Sequence, residues 1–91
     1  MRGLEVHLNG NKLCTAGVGK EGVLNTIVDV VGCAENYYEM GMRAGGLAND
    51  EFLIWARSEL RVGDEIRIRI VEDEPFDLPI ERRTRAEASG N

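Results

Sequence analysis

The chain has 91 residues, with 43% hydrophobic and 30% charged residues, which are ordinary values for a folded globular domain. This length allows one modest core and excludes a doubly wound nucleotide fold or a two-domain enzyme. The net charge of −5 argues against nucleic acid as a partner, because non-specific affinity for phosphate backbones comes from basic residues. No apolar run reaches the roughly 20 residues that cross a bilayer, and the N-terminal residues lack the pattern of a signal peptide. We therefore expect an acidic cytoplasmic protein with no membrane partner.

The first residues predict a β-hairpin. Apolar and polar residues alternate from Leu4 to Leu8, as in a strand with one buried face. The Asn9-Gly10-Asn11 sequence that follows is a strong turn signal, and residues 12–15 supply the returning strand. His7 falls on the polar side of the first strand, which favours a solvated strand residue over a metal ligand.

Gly17, Gly19 and Gly22 have the GxGxxG spacing of a dinucleotide-binding loop. That fingerprint has a mechanism only when a strand enters the loop and a helix leaves it with its N-terminus on the pyrophosphate. Here the preceding residues are predicted as a hairpin arm and the following run is rich in β-branched residues. We therefore expect no dinucleotide cofactor.

The run VLNTIVDVV at residues 23–31 fits two patterns. Leu24, Ile27, Val28 and Val31 would form one stripe on a helix. The many β-branched residues and the closing Gly32 favour a strand instead. We prefer the strand, with the helix as the alternative.

The middle of the chain predicts two further strands. From Tyr37 to Ala44, methionines alternate with polar residues or glycine, and we expect this strand to end at Gly45 and Gly46. A polar loop is expected over residues 47–50. The apolar block from Phe52 to Trp55 is interpreted as a strand that leads to the next turn.

The most regular pattern follows the Gly63-Asp64 turn. Ile66, Ile68 and Ile70 alternate with two arginines at the two-residue period of a strand with one apolar and one charged face. We expect the three isoleucines to be sealed between two stacked sheets.

The chain changes character after Val71. Residues 72–77 are mostly acidic, Pro79 is expected to block further strand pairing, and residues 81–91 contain no apolar side chain larger than alanine. We expect a single β domain over residues 1–79 and a flexible tail over residues 80–91. The predicted fold is all-β: a small antiparallel β-sandwich or partly open barrel of about six strands.

Cys14 and Cys33 are the two cysteines of the chain. In the cytosol we expect both to be reduced and buried, with a disulfide between them as the alternative. A zinc site needs four ligands, usually in close pairs, and the sequence has neither CxxC nor HxxxH. A catalytic thiol would require Cys14 to meet His7 and a third, orienting residue, and no pattern indicates such a meeting. We therefore predict no catalytic residue and no metal site.

The acidic residues after Val71 are a further candidate metal site. Glu72, Asp73, Glu74 and Asp77 could supply oxygen ligands for calcium, but they lack the alternation and the glycine of a calcium loop. We interpret them as a solvated exit from the domain.

Two groups of residues could form an interaction surface. An arginine stripe lies on the outward face of the isoleucine strand, with solubility and cross-strand ion pairing as the plain alternative. Two adjacent tyrosines in a strand point to opposite faces, so at least one faces outward. The plain alternative is one tyrosine in the core and the other as a half-exposed surface residue. The candidate surface comprises Tyr37, Tyr38, Met40, Met42, Arg67 and Arg69.

These observations favour a non-enzymatic protein-interaction module, with a homodimer as one form of it. An unclosed sheet leaves edges that must be covered or paired, and self-association is a common solution. The alternative is a small-ligand binding sandwich or barrel, which needs a cavity of a few hundred Å³. A small enzyme is the third hypothesis and ranks last, because no nucleophile, base or metal constellation is found. No cofactor is expected.

Overall fold

The computed structural model describes residues 1–34 and 37–84, which form two antiparallel β-sheets. The strands are β1 (Arg2–Leu8), β2 (Asn11–Gly17), β3 (Val23–Cys33), β4 (Tyr37–Ala48), β5 (Glu51–Glu59), β6 (Ile66–Glu72) and β7 (Glu81–Thr84). One sheet has the order β2-β1-β6 and the other has β3-β4-β5-β7. β2 packs against β5 and β1 against β3, so the sheets stack as a sandwich. The predicted all-β fold is confirmed, with seven described strands where about six were expected.

The β1–β2 hairpin follows from its turn residues. Asn9 and Gly10 both have positive φ, at 51° and 83°, which is the backbone of a two-residue type I′ turn. The Asn9 side chain also ties this turn to the loop before β6. Its amide donates to Asp64 and its Oδ1 accepts from the Glu65 N–H, both at 2.9 Å. The predicted hairpin is confirmed.

The core lies between the two sheets and is small. Its buried members are Val6, Cys14, Ala16, Met42, Ala44, Leu53, Trp55 and Ala56. Residues 23–33 form a strand, as preferred, and not the alternative helix. The described residues include no helix that is long and apolar enough to cross a membrane.

β5 contains a bulge that the apolar block did not reveal. Ala44 pairs with Ala56 whereas Gly45 pairs with Ile54, so Trp55 is an extra residue on β5. A bulge interrupts the alternation of faces, and Trp55 and Ala56 are consequently both buried.

β4 continues to Ala48, so the prediction that Gly45 and Gly46 end it was wrong. Both glycines pair with neighbouring strands, and only residues 49–50 form the following turn. A Cβ on Gly46 would overlap the carbonyl oxygen of Val23 on β3. Glycine is required here because the backbones of β3 and β4 approach closely. Glycine in a strand can therefore mark a close approach of two backbones and not only the end of the strand.

The segment of residues 73–80, which we call the strap, crosses from one sheet to the other. The Phe76 ring lies over Gly3 and Gly17, where any Cβ would overlap it. Asp77 then binds the edge of β2 at Thr15. Its N–H donates to the Thr15 carbonyl and its Oδ2 accepts from the Thr15 N–H, both at 2.8 Å. The strap therefore closes the side of the sandwich that is bordered by β2.

β7 follows the strap and pairs with β5. The expectation that Pro79 blocks pairing and that a tail begins at residue 80 was wrong for residues 80–84. Proline removes only its own N–H, and the next residue, Ile80, donates its N–H to the Ile54 carbonyl at 2.8 Å. The β domain thus extends beyond residue 79 to Thr84, and the rest of the expected tail lies outside the described residues.

The opposite side of the sandwich, bordered by β6 and β3, is open. The isoleucines of β6 do share the inner face, because Ile70 pairs with Leu4 and Ile68 with Val6. Ile66 packs against the core, but Ile68 and Ile70 are 45% and 77% exposed. The expectation that all three are sealed was wrong, because β1 packs against β3 and β6 lies beyond it at the edge.

Candidate functional site

The described surface carries more large apolar side chains than the core holds. Thirteen large hydrophobic side chains are exposed, whereas nine hydrophobic residues are buried and three of those are alanines. Single exposed apolar residues are normal, but clustered ones mark interaction surfaces. More than half of them lie on the two edge strands of the open side or on the adjoining end of β4: Val23, Val28, Val30, Val31, Tyr38, Ile68 and Ile70.

The first cluster is the part of β6 that extends past the facing sheet. We call Ile68 and Ile70 the overhang. Both side chains point to the inner face of their sheet. Because β6 is an edge strand, no described strand faces them from the other sheet.

The second cluster lies on the far half of the β3–β4 hairpin. β3 and β4 have 11 and 12 residues, whereas each strand of the facing sheet has seven. Leu24 packs against the core, but Val28 and Val30 on the same face are 49% and 66% exposed. Tyr38 shares this face through its pair with Gly32 and is 59% exposed. We call Val28, Val30 and Tyr38 the uncovered arm.

A groove of about 650 Å³ lies where the overhang meets the start of β3. Leu4, Leu24 and Ile70 form its apolar walls, and residues 18–20 and Gly22 form part of its rim. The glycine loop considered for dinucleotide binding therefore borders an apolar groove. It connects two strands of different sheets, and β3 begins directly after it.

The structure does not gather the candidate interaction residues into one surface. Met42 is buried in the core, and Met40 is half-buried on the same face of β4. Arg67 and Arg69 are exposed on the outer face of β6, away from the isoleucines. Tyr38 is exposed on the open side. The side chain of Tyr37 lies outside the part of the chain that the structure describes.

The valines of β3 and the overhang were missed as surface residues. The alternation from Ile66 to Ile70 assigned the overhang to the inner face, which is correct, whereas the apolar run of β3 was assigned to a strand without a choice of face. No signal within either strand indicates that the facing sheet is too narrow and too short to cover them.

The arginine stripe takes part in cross-strand pairing. Glu5 on β1 lies 2.9 Å from the His7 Nε2 and 4.0 Å from the Arg69 guanidinium. The hydrogen bond with His7 and the charge of Arg69 lower the pKa of the Glu5 carboxyl. The plain alternative for the arginines, solubility and ion pairing on an outer face, thus describes Arg69.

The structure places Cys14 and His7 on opposite faces of their sheet. Cys14 is a free thiol in the core, and His7 lies beside Glu5 on the outer face. Burial and the nearby Asp77 raise the pKa of the Cys14 thiol to about 11, so it is protonated at neutral pH. The side chain of Cys33 lies outside the described residues.

The acidic residues after Val71 are spread over separate partners. Glu72 lies 3.8 Å from Arg2, Asp73 lies 2.9 Å from the N-terminal amine, and Asp77 accepts from β2. Among residues 1–34 and 37–84, no group of three His, Cys, Asp or Glu side chains is placed to hold a metal ion.

No protein-family model, curated protein or solved structure matches the chain. The open side, with its overhang and uncovered arm, is therefore the candidate site on its geometry alone.

Proposed function

We propose that this protein is a non-enzymatic interaction module of the cytoplasm that binds another protein chain through the open side of its sandwich. The observation that carries the proposal is the exposure of inner-face residues, 77% for Ile70 and 66% for Val30. In a complete sandwich such residues interdigitate with the facing sheet. Full burial of one such side chain contributes about 1.5–3 kcal/mol, which a partner would gain.

The charge of the chain supports a protein partner. A net charge of −5 opposes phosphate backbones and anionic surfaces. The overhang and the uncovered arm are apolar, and Asp29 is the one charged residue of β3. The driving force for binding is therefore apolar burial together with strand pairing.

The test compares two lysine variants with the tagged wild-type protein as bait in an extract of its source cells. Ile70→Lys places a charge in the overhang, and Val62→Lys places one at a site that is already 93% exposed in the β5–β6 loop. We expect the bait to capture a partner, which is either another protein or a second copy of the chain. With purified components, Ile70→Lys should raise the dissociation constant of this complex at least tenfold, a loss of roughly 1.4 kcal/mol of binding free energy. Val62→Lys should leave it unchanged. Equal binding by both variants, or no partner of either kind, would contradict the proposal.

A small-ligand binding domain is the second candidate, because the groove beside the overhang has a volume of about 650 Å³. Ligand pockets usually enclose about 300–1,000 Å³. Its apolar walls and the Lys20 on its rim suit an amphiphile with an anionic head. A fatty-acid series should then raise the melting temperature of the wild type and raise it less in Lys20→Glu. An unchanged melting temperature across the series would exclude this candidate.

A further inference from the structure

We infer that two copies of this chain associate through β3, which pairs antiparallel with β3 of the second copy about a two-fold axis at Ile27. The two four-stranded sheets then become one sheet of eight strands. The inference rests on the proposed function, because it names the partner of the open side as a second copy.

The four edge strands of the described sheets differ in how they are protected. β2 is covered at Thr15 by the strap. β7 has only four residues, three of them charged, and β6 carries Arg67 and Arg69. Short length and charge are the usual protection of an edge against pairing. If β6 paired with itself about Ile68, Arg67 would face Arg69 of the second copy, and directly opposed like charges destabilise a sheet.

Within residues 1–34 and 37–84, β3 has none of these protections. It is 11 residues long, contains no lysine, arginine or proline, and has one charged residue, Asp29. Its outer face adds exposed apolar side chains at Val23 and Val31. A long, weakly charged apolar edge is a template for pairing with another strand.

The sequence of β3 is self-complementary in one register. With the axis at Ile27, Asn25 faces Asp29 of the second copy, so an amide can donate to each carboxylate. The remaining pairs are apolar or weakly polar: Val23 with Val31, Leu24 with Val30 and Thr26 with Val28. No like charges meet in this arrangement.

The neighbouring registers place less favourable partners opposite Asp29. An axis at Val28 places Asp29 opposite Ile27, and an axis at Thr26 places it opposite Val23. An axis at Asp29 brings the two carboxylates together, which is repulsive. The side-chain pairs therefore select the axis at Ile27.

The same register brings the two uncovered clusters together. Leu24 and Ile70 line one groove, so the overhang lies beside Leu24. In the paired strands Leu24 is opposite Val30 of the second copy. The overhang of each copy therefore faces the uncovered arm of the other, and two patches that are exposed in one chain cover each other in the pair.

The size of the open side fits a stable dimer. The smallest extent of the molecule is 17 Å and β3, with 11 residues, extends over roughly 36 Å at about 3.3 Å per residue, so a side of these dimensions has a projected area of roughly 600 Å². Stable interfaces bury about 800 Å² per partner.

The first test is a charge exchange across the axis, followed by sedimentation equilibrium from 1 µM to about 1 mM protein. Asn25→Asp places one carboxylate opposite each Asp29 of the pair and should raise the dimer dissociation constant about tenfold. Asn25→Lys changes the same exposed position to the opposite charge and should bind at least as tightly as the wild type. The double variant Asn25→Asp/Asp29→Asn restores an amide opposite each carboxylate and should return to within about threefold of the wild type.

The second test is a disulfide at the axis. In Ile27→Cys the two Cα atoms across the axis would be about 4.5–5.5 Å apart, within the range of a disulfide. In the control Asn25→Cys the equivalent residues are about 13 Å apart along the strands. Both variants keep the two native cysteines. We expect mild oxidation to cross-link Ile27→Cys and not Asn25→Cys.

The outcomes separate this inference from the function on which it rests. A monomer at every concentration overturns the inference, while a different partner that Ile70→Lys releases would still support the interaction module. A dimer whose dissociation constant does not change in the charge variants, or that cross-links equally in both cysteine variants, has its interface elsewhere and also overturns the inference. Binding at least as tight as the wild type in Asn25→Lys, weaker binding in Asn25→Asp and recovery in the double variant support it.

Discussion

Trp55→Ala is expected to lower the free energy of unfolding by about 3–5 kcal/mol. Trp55 is 4% exposed and is the bulkiest side chain of a core that otherwise holds alanines, a cysteine and medium-sized residues. The change removes the buried ring and leaves a cavity that a rigid sandwich cannot fill. It also removes the indole N–H that donates to the Asp77 carbonyl at 2.8 Å. Since small domains are stable by about 5–15 kcal/mol, the variant should be close to unfolding.

Two further variants separate the ring from its hydrogen bond. Trp55→Phe keeps an aromatic ring but leaves the Asp77 carbonyl without its donor, and should cost about 1–3 kcal/mol. Phe52→Ala removes an aromatic side chain from the same strand that is 42% exposed, and should cost about 1 kcal/mol or less. Urea unfolding followed by circular dichroism measures all three. Similar losses in Trp55→Ala and Phe52→Ala would show that Trp55 does not hold the core.

Asp77→Ala is expected to lower the free energy of unfolding by about 1.5–3 kcal/mol, the usual contribution of a hydrogen bond to a charged group. Its carboxylate accepts from the N–H of Thr15 at 2.8 Å, and Thr15 is only 1% exposed. Without the carboxylate, a buried donor on the edge of β2 loses its partner. The strap should then separate from β2 more readily, and hydrogen exchange at Thr15 should become faster.

The matched control is Glu74→Ala, which removes a carboxylate from an exposed position of the same strap. It should change the free energy of unfolding by less than about 0.5 kcal/mol. Asp77→Asn keeps an acceptor without the charge and should fall between the two. If Glu74→Ala proved as damaging as Asp77→Ala, net charge and not the hydrogen bond to Thr15 would be the cause.

These two anchors explain why the sandwich is closed on one side only. Trp55 and Thr15 both hold Asp77, and β7 continues the strap along β5. The side bordered by β3 and β6 has no equivalent segment among the described residues. A partner of the open side would do there what the strap does on the other side.

Local signals in the sequence determined the strands and the direction of their side chains. The Asn9-Gly10 pair specified a two-residue turn, because both positions take positive φ. The alternation from Ile66 to Ile70 specified a strand and placed its isoleucines on the inner face. Such features depend on a few neighbouring residues, so a single sequence contains them. Of the candidate surface residues, the same information placed Arg67 and Arg69 on the outer face.

Only the tertiary structure decided which apolar faces are covered. Whether Ile70 is buried depends on the position of β6 at the edge of its sheet, beyond the strand β1 that packs against the other sheet. The strand at residues 81–84 is wholly polar and exists because β5 offers it an edge. The bulge that buries Trp55 arises where β4 and β5 must stay paired across Gly45. These outcomes are set by packing between distant segments, and no local pattern of hydrophobicity encodes them.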